Sequence, residues 1–298
     1  MATIDTETVG TTRKQMFQKI MQLSLIFVLV FAVSCLVSFA GGRHRAAKQD
    51  PKAETTASSE KTPKKTDKTE KTGKDGDADD TQAPEGTTSF DPEKVIYLTF
   101  DDGPWKYTAQ LLDLLAKYDA KVTFFTTSAY PEYADLIKRE AEEGHTVAIH
   151  TYSHQYKTIY ASSTAYWNDF NAQKKVITDL TGEEPTLFRF PGGSSNTVSN
   201  FTPGIMTTLS KQATAKGLVY FDWNVSSGDA GKTTDSNTVL QNCKAGVQTI
   251  KDPVILCHDV KDFTVKAMES FVPWAIENGY TFLPLTKDSP NAHHKINN

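Results

Sequence analysis

Residues 46–88 contain no isoleucine, leucine, valine, methionine, phenylalanine, tyrosine, tryptophan or cysteine. A stretch with nothing apolar to bury cannot repay the entropy of ordering its backbone. It is thereby excluded from any core, and 41–88 reads as a disordered polar tether. Over 46–88 its coil spans roughly 35–40 Å, and its extended limit is about 140 Å. Cysteine is scarce as well, with Cys35, Cys243 and Cys257 the whole supply. Nothing in the sequence places Cys243 within reach of Cys257, so buried free thiols are expected. Excess positive charge is also missing. Residues 89–298 hold 19 Lys and Arg against 24 Asp and Glu, a net of −5, which excludes the basic surface that nucleic acid requires.

Long hydrophobic runs are absent with one exception. Residues 20–40 are apolar apart from Gln22, Ser24, Ser34 and Ser38, long enough to cross a bilayer once. Arg13, Lys14 and Lys19 precede the run, which predicts a cytoplasmic segment over 1–19 and an uncleaved signal-anchor over 20–40. The rival reading is a signal peptide cleaved after Val37-Ser-Phe-Ala40, which would release the protein. Apolar sequence continues past Cys35, which argues against lipidation there.

Within 89–298, functional side chains gather where apolar runs stop. Tyr97-Leu-Thr-Phe-Asp-Asp-Gly-Pro104 is a strand-like run that ends at two carboxylates and a turn. Side chains alternate along a strand, so Asp101 and Asp102 share one site only where the strand has ended. That is where α/β sheets and barrels place their chemistry. One carboxylate suits a metal and the other a proton, although an Asp-Gly turn after a strand would leave the same letters. Thr146-Val-Ala-Ile-His150 ends at a histidine, and His150-Thr-Tyr-Ser-His154 puts a second imidazole four residues on. If the chain turns helical there, both lie on one face, as two ligands of one ion require. Two imidazole nitrogens and one carboxylate oxygen would leave the fourth position of Zn²⁺ or a similar ion open, the mark of a catalytic site. Three more run ends follow: Arg189 before Phe-Pro-Gly-Gly193, Asp229 after Ser226-Ser-Gly, and His258 after Val254-Ile-Leu-Cys.

The apolar runs lie near 95–100, 122–126, 146–150, 186–190, 218–225, 253–258 and 280–285. Helical periodicity fills the intervals 109–118, 236–250 and 263–278, the last closed by Gly279. Strands alternating with helices imply a parallel sheet.

Taken in order, Thr99-Phe-Asp-Asp-Gly103, His150-Thr-Tyr-Ser-His154, Arg189-Phe-Pro-Gly-Gly193, Trp223 through Asp229 and Leu256-Cys-His258 resemble the five motifs of NodB-type polysaccharide deacetylases (carbohydrate esterase family four). The resemblance covers about 89–290 and implies an α/β fold. That fold is a distorted (β/α)7-type barrel with its catalytic site at the C-terminal ends of the strands. It further implies that Asp102, His150 and His154 hold Zn²⁺, or Co²⁺ or another divalent transition metal. Asp101 is then the general base, paired with Arg189. His258 is the general acid, oriented by Asp229, and a backbone N–H of the Gly192-Gly193 turn meets the oxyanion. Leu256 lines the pocket for the acetyl methyl group, and Trp105 and Tyr152 are candidates for the sugar groove.

The chain departs from the family pattern at Ala230, where Trp is common, at Ser226, where Asp is frequent, and at Gly192, where an aromatic residue is usual. These positions shape groove walls rather than reacting atoms. His145 is expected to be structural, and His44, His293 and His294 to be solvated in polar segments. Tyr107, Tyr156, Tyr160, Tyr166 and Trp167 suit either sugar stacking or packing. The expected activity is hydrolysis of N-acetyl groups on cell-wall polysaccharide, foremost N-acetylglucosamine of peptidoglycan, by a monomer anchored in the membrane. Chitin oligomers, exopolysaccharide, N-acetylmuramic acid units and acetylated xylan fit the same motifs. A non-catalytic wall-binding module would have lost one of Asp101, Asp102, His150, His154 or His258, and all five are present. A metal-dependent amidase acting on a non-sugar substrate is the remaining class.

Overall fold

Seven apolar runs become eight short strands because one of them divides. The structure, a computed structural model, describes residues 90–298. The segments read as cytoplasmic end, membrane anchor and tether (1–19, 20–40 and 41–88) lie outside the described residues. Among the described residues no helix is long and apolar enough to cross a membrane.

β1 (Val95–Asp101) is buried along its whole length. It pairs in parallel with β2 (Thr123–Thr126) and β7 (Val254–His258), and through its first two residues with β8 (Thr281–Phe282). β3 (Thr146–Ile149), β4 (Leu187–Phe188) and β5 (Val219–Tyr220) extend the sheet beyond β2, and β6 (Val225–Ser226) lies beyond β7. Every pairing is parallel.

Helices fill the crossovers. They are α1 (Thr108–Lys117), α2 (Asp135–Glu142), α3 (Tyr156–Ile159), α4 (Ser163–Thr181), α5 (Ile205–Ala215), α6 (Ser236–Thr249) and α7 (Asp262–Glu277). Their ends carry local signals. Ser162 caps α4 by accepting the Ala165 N–H at 3.1 Å, and Asp235 caps α6 through the Thr238 N–H at 2.8 Å. Gly279 follows α7 with a left-handed φ, as the sequence predicts.

The run expected as one strand over 218–225 is two. Its first residues pair with β4 and its last with β7, at opposite edges of the sheet. Phe221 N–H still reaches Phe188 O (3.0 Å), whereas Asn224 N–H reaches Val254 O (3.1 Å). The chain therefore passes along the seam of a curled sheet and bonds one neighbour at a time. The result is the distorted parallel barrel, with helices around it.

Strand alternation sorts the core. Ile96, Leu98 and Phe100 face outward onto the α1 leucines and the α6 and α7 faces. Ile149, Phe188 and Phe190 do the same against α4 and α5. Val95, Tyr97, Phe125, Ala148, Leu187, Phe221 and Val254 form the interior. Carrying the interior parity two residues further along β1, β3 and β4 gives Thr99 and Asp101, His150 and Arg189. In β7 it gives Leu256 and His258. The barrel interior is thus apolar below and chemical on top.

Candidate active site

β1 ends at Asp101, and Asp102 turns into the left-handed region with φ 77°. That breaks the alternation, so the second carboxylate is not sent to the helix side. Thr127 clamps the turn, its hydroxyl donating to Asp102 O and its N–H to Gly103 O, both at 2.8 Å. On the other flank lies the Asp259 carboxylate, fully buried and hydrogen-bonded by the Thr108 hydroxyl. A Cβ on Gly103 would collide with it, so this turn admits only glycine.

His150 and His154 do converge, but not on a helical face. Residues 151–155 are irregular, with bends at Tyr152 and Ser153, and α3 begins only at Tyr156. Thr151 (φ 75°) and His154 (φ 52°) both take left-handed backbone, folding the chain back until the two rings are 5.1 Å apart. Asp169 on α4 holds this loop, accepting the N–H groups of Tyr152 (2.6 Å) and Ser153 (3.0 Å). The loop is fastened from outside because helical hydrogen bonds are not available to it.

Asp102, His150 and His154 bring one potential ligand atom each within 4.8 Å of one another. Asp102 Oδ1 is buried without a hydrogen-bond partner, 3.6 Å from His150 Nε2 and 3.3 Å from His154 Nε2. His150 Nδ1 lies 2.9 Å from Arg189 O, so that nitrogen carries the proton and Nε2 presents a lone pair. Burial, with the neighbouring charges of His154 and Arg189, pushes His150 down to about 3 despite Asp102. A neutral imidazole facing an orphaned carboxylate oxygen is a donor set that fits a divalent cation.

Beside this trio, Asp101 accepts from Arg189 Nη1 at 2.7 Å. Arg189 is itself fully buried. Its Nη1 also donates to Thr99 Oγ1 (2.8 Å), Nε to Phe221 O (3.0 Å) and Nη2 to Asp222 O (2.7 Å), while its plane lies 4.1 Å over the Phe125 ring. Burial raises Asp101 above the ordinary carboxylate range, and Arg189 and His258 offset that only in part. A carboxylate so placed is a stronger proton acceptor than an exposed one.

Across the β1–β7 pairing, Asp101 stands opposite His258. Asp229 binds His258 twice, at Nδ1 (2.8 Å) and at the backbone N–H (2.7 Å), and Thr264 fixes Asp229 Oδ2 (2.8 Å). Burial opposes a charged His258, yet the Asp229 hydrogen bond and charge, helped by Asp102 and Asp101, push it up to about 9. Burial likewise works against ionised Asp229, and His258, Thr264 and Ser227 bring it below the ordinary value.

The remaining candidates occupy the surroundings. Leu256 is buried on β7 at interior parity, two residues before His258. Gly192 is exposed in its turn at φ 77°, and a Cβ would stand 3.1 Å from Asn196 Cβ. An aromatic side chain is therefore disfavoured by this loop. Gly193 N–H is taken by Phe190 O (2.7 Å), which leaves Gly192 as the turn's candidate donor. Trp105 is half-buried, stacked on Tyr130 at 4.9 Å, and Tyr152 is exposed. Tyr160 and Tyr166 are buried in a stack at 6.0 Å, Tyr160 donating to Pro191 O, so these two are packing residues. His145 is buried and accepts the Val122 N–H.

His293 is exposed, as expected, although it also has protein partners; the solvated reading of His294, which is half-buried, is corrected. His293 stacks on Tyr220 at 3.8 Å, and His294 bonds Trp223 O at 2.7 Å and Ser195 Oγ at 3.1 Å. Their polar neighbours in sequence gave no sign of a partner some 70 to 100 residues away. His44 lies outside the described residues. Cys243 and Cys257 are both buried and free.

The sequence profile of the family described as polysaccharide deacetylase matches residues 89–202. The peptidoglycan-N-acetylglucosamine deacetylase of Bacillus cereus is 35% identical over 214 residues, spanning 68% of this chain and 72% of its own. The catalytic domain of peptidoglycan N-acetylglucosamine deacetylase from Eubacterium rectale superposes with a TM-score of 0.68 at 53% identity, over 69% of this chain and 94% of that domain. A polysaccharide deacetylase structure from Bacillus cereus gives 0.58 at 35% identity, over 66% and 94%. With its parallel barrel, its matched motifs and a relative of this identity spanned over most of its length, the chain belongs to the polysaccharide deacetylase family of hydrolases.

Proposed function

We propose that this protein hydrolyses N-acetyl groups of N-acetylglucosamine in peptidoglycan, releasing acetate and leaving a free amine on the glycan. The observation that carries the reading is two hydrogen-bonded dyads, Asp101–Arg189 and His258–Asp229, on adjoining strand ends beside the Asp102, His150 and His154 donor set. The relatives whose names specify that substrate support the choice of polymer.

Asp102, His150 and His154 would hold Zn²⁺, with Co²⁺ as an alternative. A divalent cation there supplies Lewis acidity toward the acetamido carbonyl. Asp101 takes a proton from the attacking water as its oxygen bonds to the carbonyl carbon. Arg189 keeps Asp101 aimed throughout. The Gly192 N–H donates to the oxygen that becomes negative. His258, protonated with the help of Asp229, gives its proton to the amide nitrogen as the C–N bond breaks. Leu256 forms the apolar wall for the methyl group. Trp105 and Tyr152 supply aromatic faces for sugar rings.

Residues 20–40 as anchor and 41–88 as tether would place the domain outside the membrane, within reach of the wall, as a monomer. Membrane fractionation and protease accessibility on protoplasts test that placement.

The function is tested by acetate release from purified peptidoglycan and from chitooligosaccharides. The protein is assayed as isolated, after chelation, and after Zn²⁺ or Co²⁺ is restored. Release that requires the ion supports the reading, and a preference for chitooligosaccharides would replace peptidoglycan as substrate. Release from neither polymer, with the ion bound, would overturn it.

A further inference from the structure

Residues 221–224 at the barrel seam belong to no strand, yet they carry half of the Arg189 clamp. Arg189 Nε and Nη2 donate to Phe221 O and Asp222 O, and Nη1 to Asp101 and Thr99. Where the guanidinium points therefore depends on where residues 221–223 lie. Those residues sit between β5 and β6, and residues 292–294 take the place of a neighbouring strand. Asp222 N–H donates to Ala292 O at 3.0 Å, and His294 N–H donates to Asp222 Oδ2 at 2.7 Å.

The His294 ring completes the clip. Nε2 lies 2.7 Å from Trp223 O, which can only accept, so Nε2 carries a proton, and Nδ1 pairs with Ser195 Oγ at 3.1 Å. One ring thus ties the seam to the turn that follows Gly192 and Gly193. The same ring packs edge-on against Trp223 at 4.7 Å.

We infer that His294 is a positioning residue for the Arg189–Asp101 pair, acting through the seam backbone. The inference rests on the deacetylase reading with Asp101 as base. His294→Phe keeps a ring against Trp223 but removes both hydrogen bonds. It lowers kcat about tenfold, since small misplacements of a reacting group carry large rate costs, and changes KM by less than about twofold. His294→Gln, which offers an amide donor and acceptor, recovers most of that loss. In an Arg189→Ala background His294→Phe has little further effect on kcat, because the group it positions is gone.

Hydrogen exchange of the full chain gives a second readout that needs no substrate. Peptides covering 190–197 and 219–226 exchange faster in His294→Phe, while β1 and β2 do not change. Wild-type kcat and exchange in His294→Phe would overturn the inference, as would an equal loss of kcat with and without Arg189. A wild-type protein that releases no acetate is a different failure. It removes the deacetylase reading, and the exchange data alone then decide whether His294 holds the seam.

Discussion

Each of the two adjoining aspartates has its own surroundings, and from these their chemistry separates. Asp101 is buried against an arginine, whereas Asp102 is half-buried and faces two imidazoles. Asp101→Asn is expected to lower kcat by about 10²–10⁴-fold, the scale of general-base catalysis, while the protein still binds its ion. Metal content and steady-state rates measured on one preparation check this, and near-normal turnover would refute the base assignment. His258 supplies the opposite limb. As a proton donor it must be protonated, so activity falls as pH rises through its pKa, held near 9. Asp229→Asn removes the negative charge that helps hold it there. The alkaline limb of the kcat/KM profile should move toward the ordinary histidine value of about 6.5. An unmoved limb would mean that another group titrates.

At the level of elements, the loop between β3 and α3 does what a helix was expected to do. His-x3-His spacing suggests i and i+4 on one helical face, yet the same spacing closes through two left-handed residues. The letters alone cannot separate these geometries, because both bring the rings together. What distinguishes them is the need for an outside fastening, and Asp169 provides it from α4. Asp169→Ala is expected to weaken divalent-ion affinity by roughly tenfold, within the range for groups that orient ligands. Chelator competition measures it, and unchanged affinity would show that the loop holds itself. The seam illustrates the same limit. Period-2 patterning marks 218–225 as strand-like but says nothing about which neighbour each half will meet.

For the molecule as a whole, two buried acids make folding pH-dependent. Glu140 on α2 is fully buried with both carboxylate oxygens unpartnered. Burial, with the nearby charge of Asp259, holds it well above the ordinary range. Burial, with a smaller addition from Asp102, pushes Asp259 up to about 7 against the Thr108 hydrogen bond. An acid whose folded pKa is raised binds more protons folded than unfolded. Stability is therefore lost as pH rises from the unfolded value toward the folded one. Glu140→Gln cannot ionise and occupies nearly the same volume. The difference in Tm between Glu140→Gln and wild type should grow between pH 5 and pH 8, as thermal melts across that range would show. A difference independent of pH would mean that Glu140 is not protonated in the fold.

Legible in the residues alone were the alternation of strands and helices, the strand ends that carry Asp101, Asp102, His150, Arg189, Asp229 and His258, and the family they resemble. All of these follow from local rules: side-chain period, turn residues and short motifs. Tertiary structure alone decided the split at the seam, the turn that joins His150 to His154, and the supporting roles of Thr127, Asp169, Asp222, Asp259 and His294. Each of these residues meets partners distant in the chain, and no periodicity records such a pairing. It also decided that Gly103 cannot be larger and that a side chain at Gly192 is disfavoured. The atoms that would obstruct them belong to Asn196 and Asp259, whose positions only the folded chain sets.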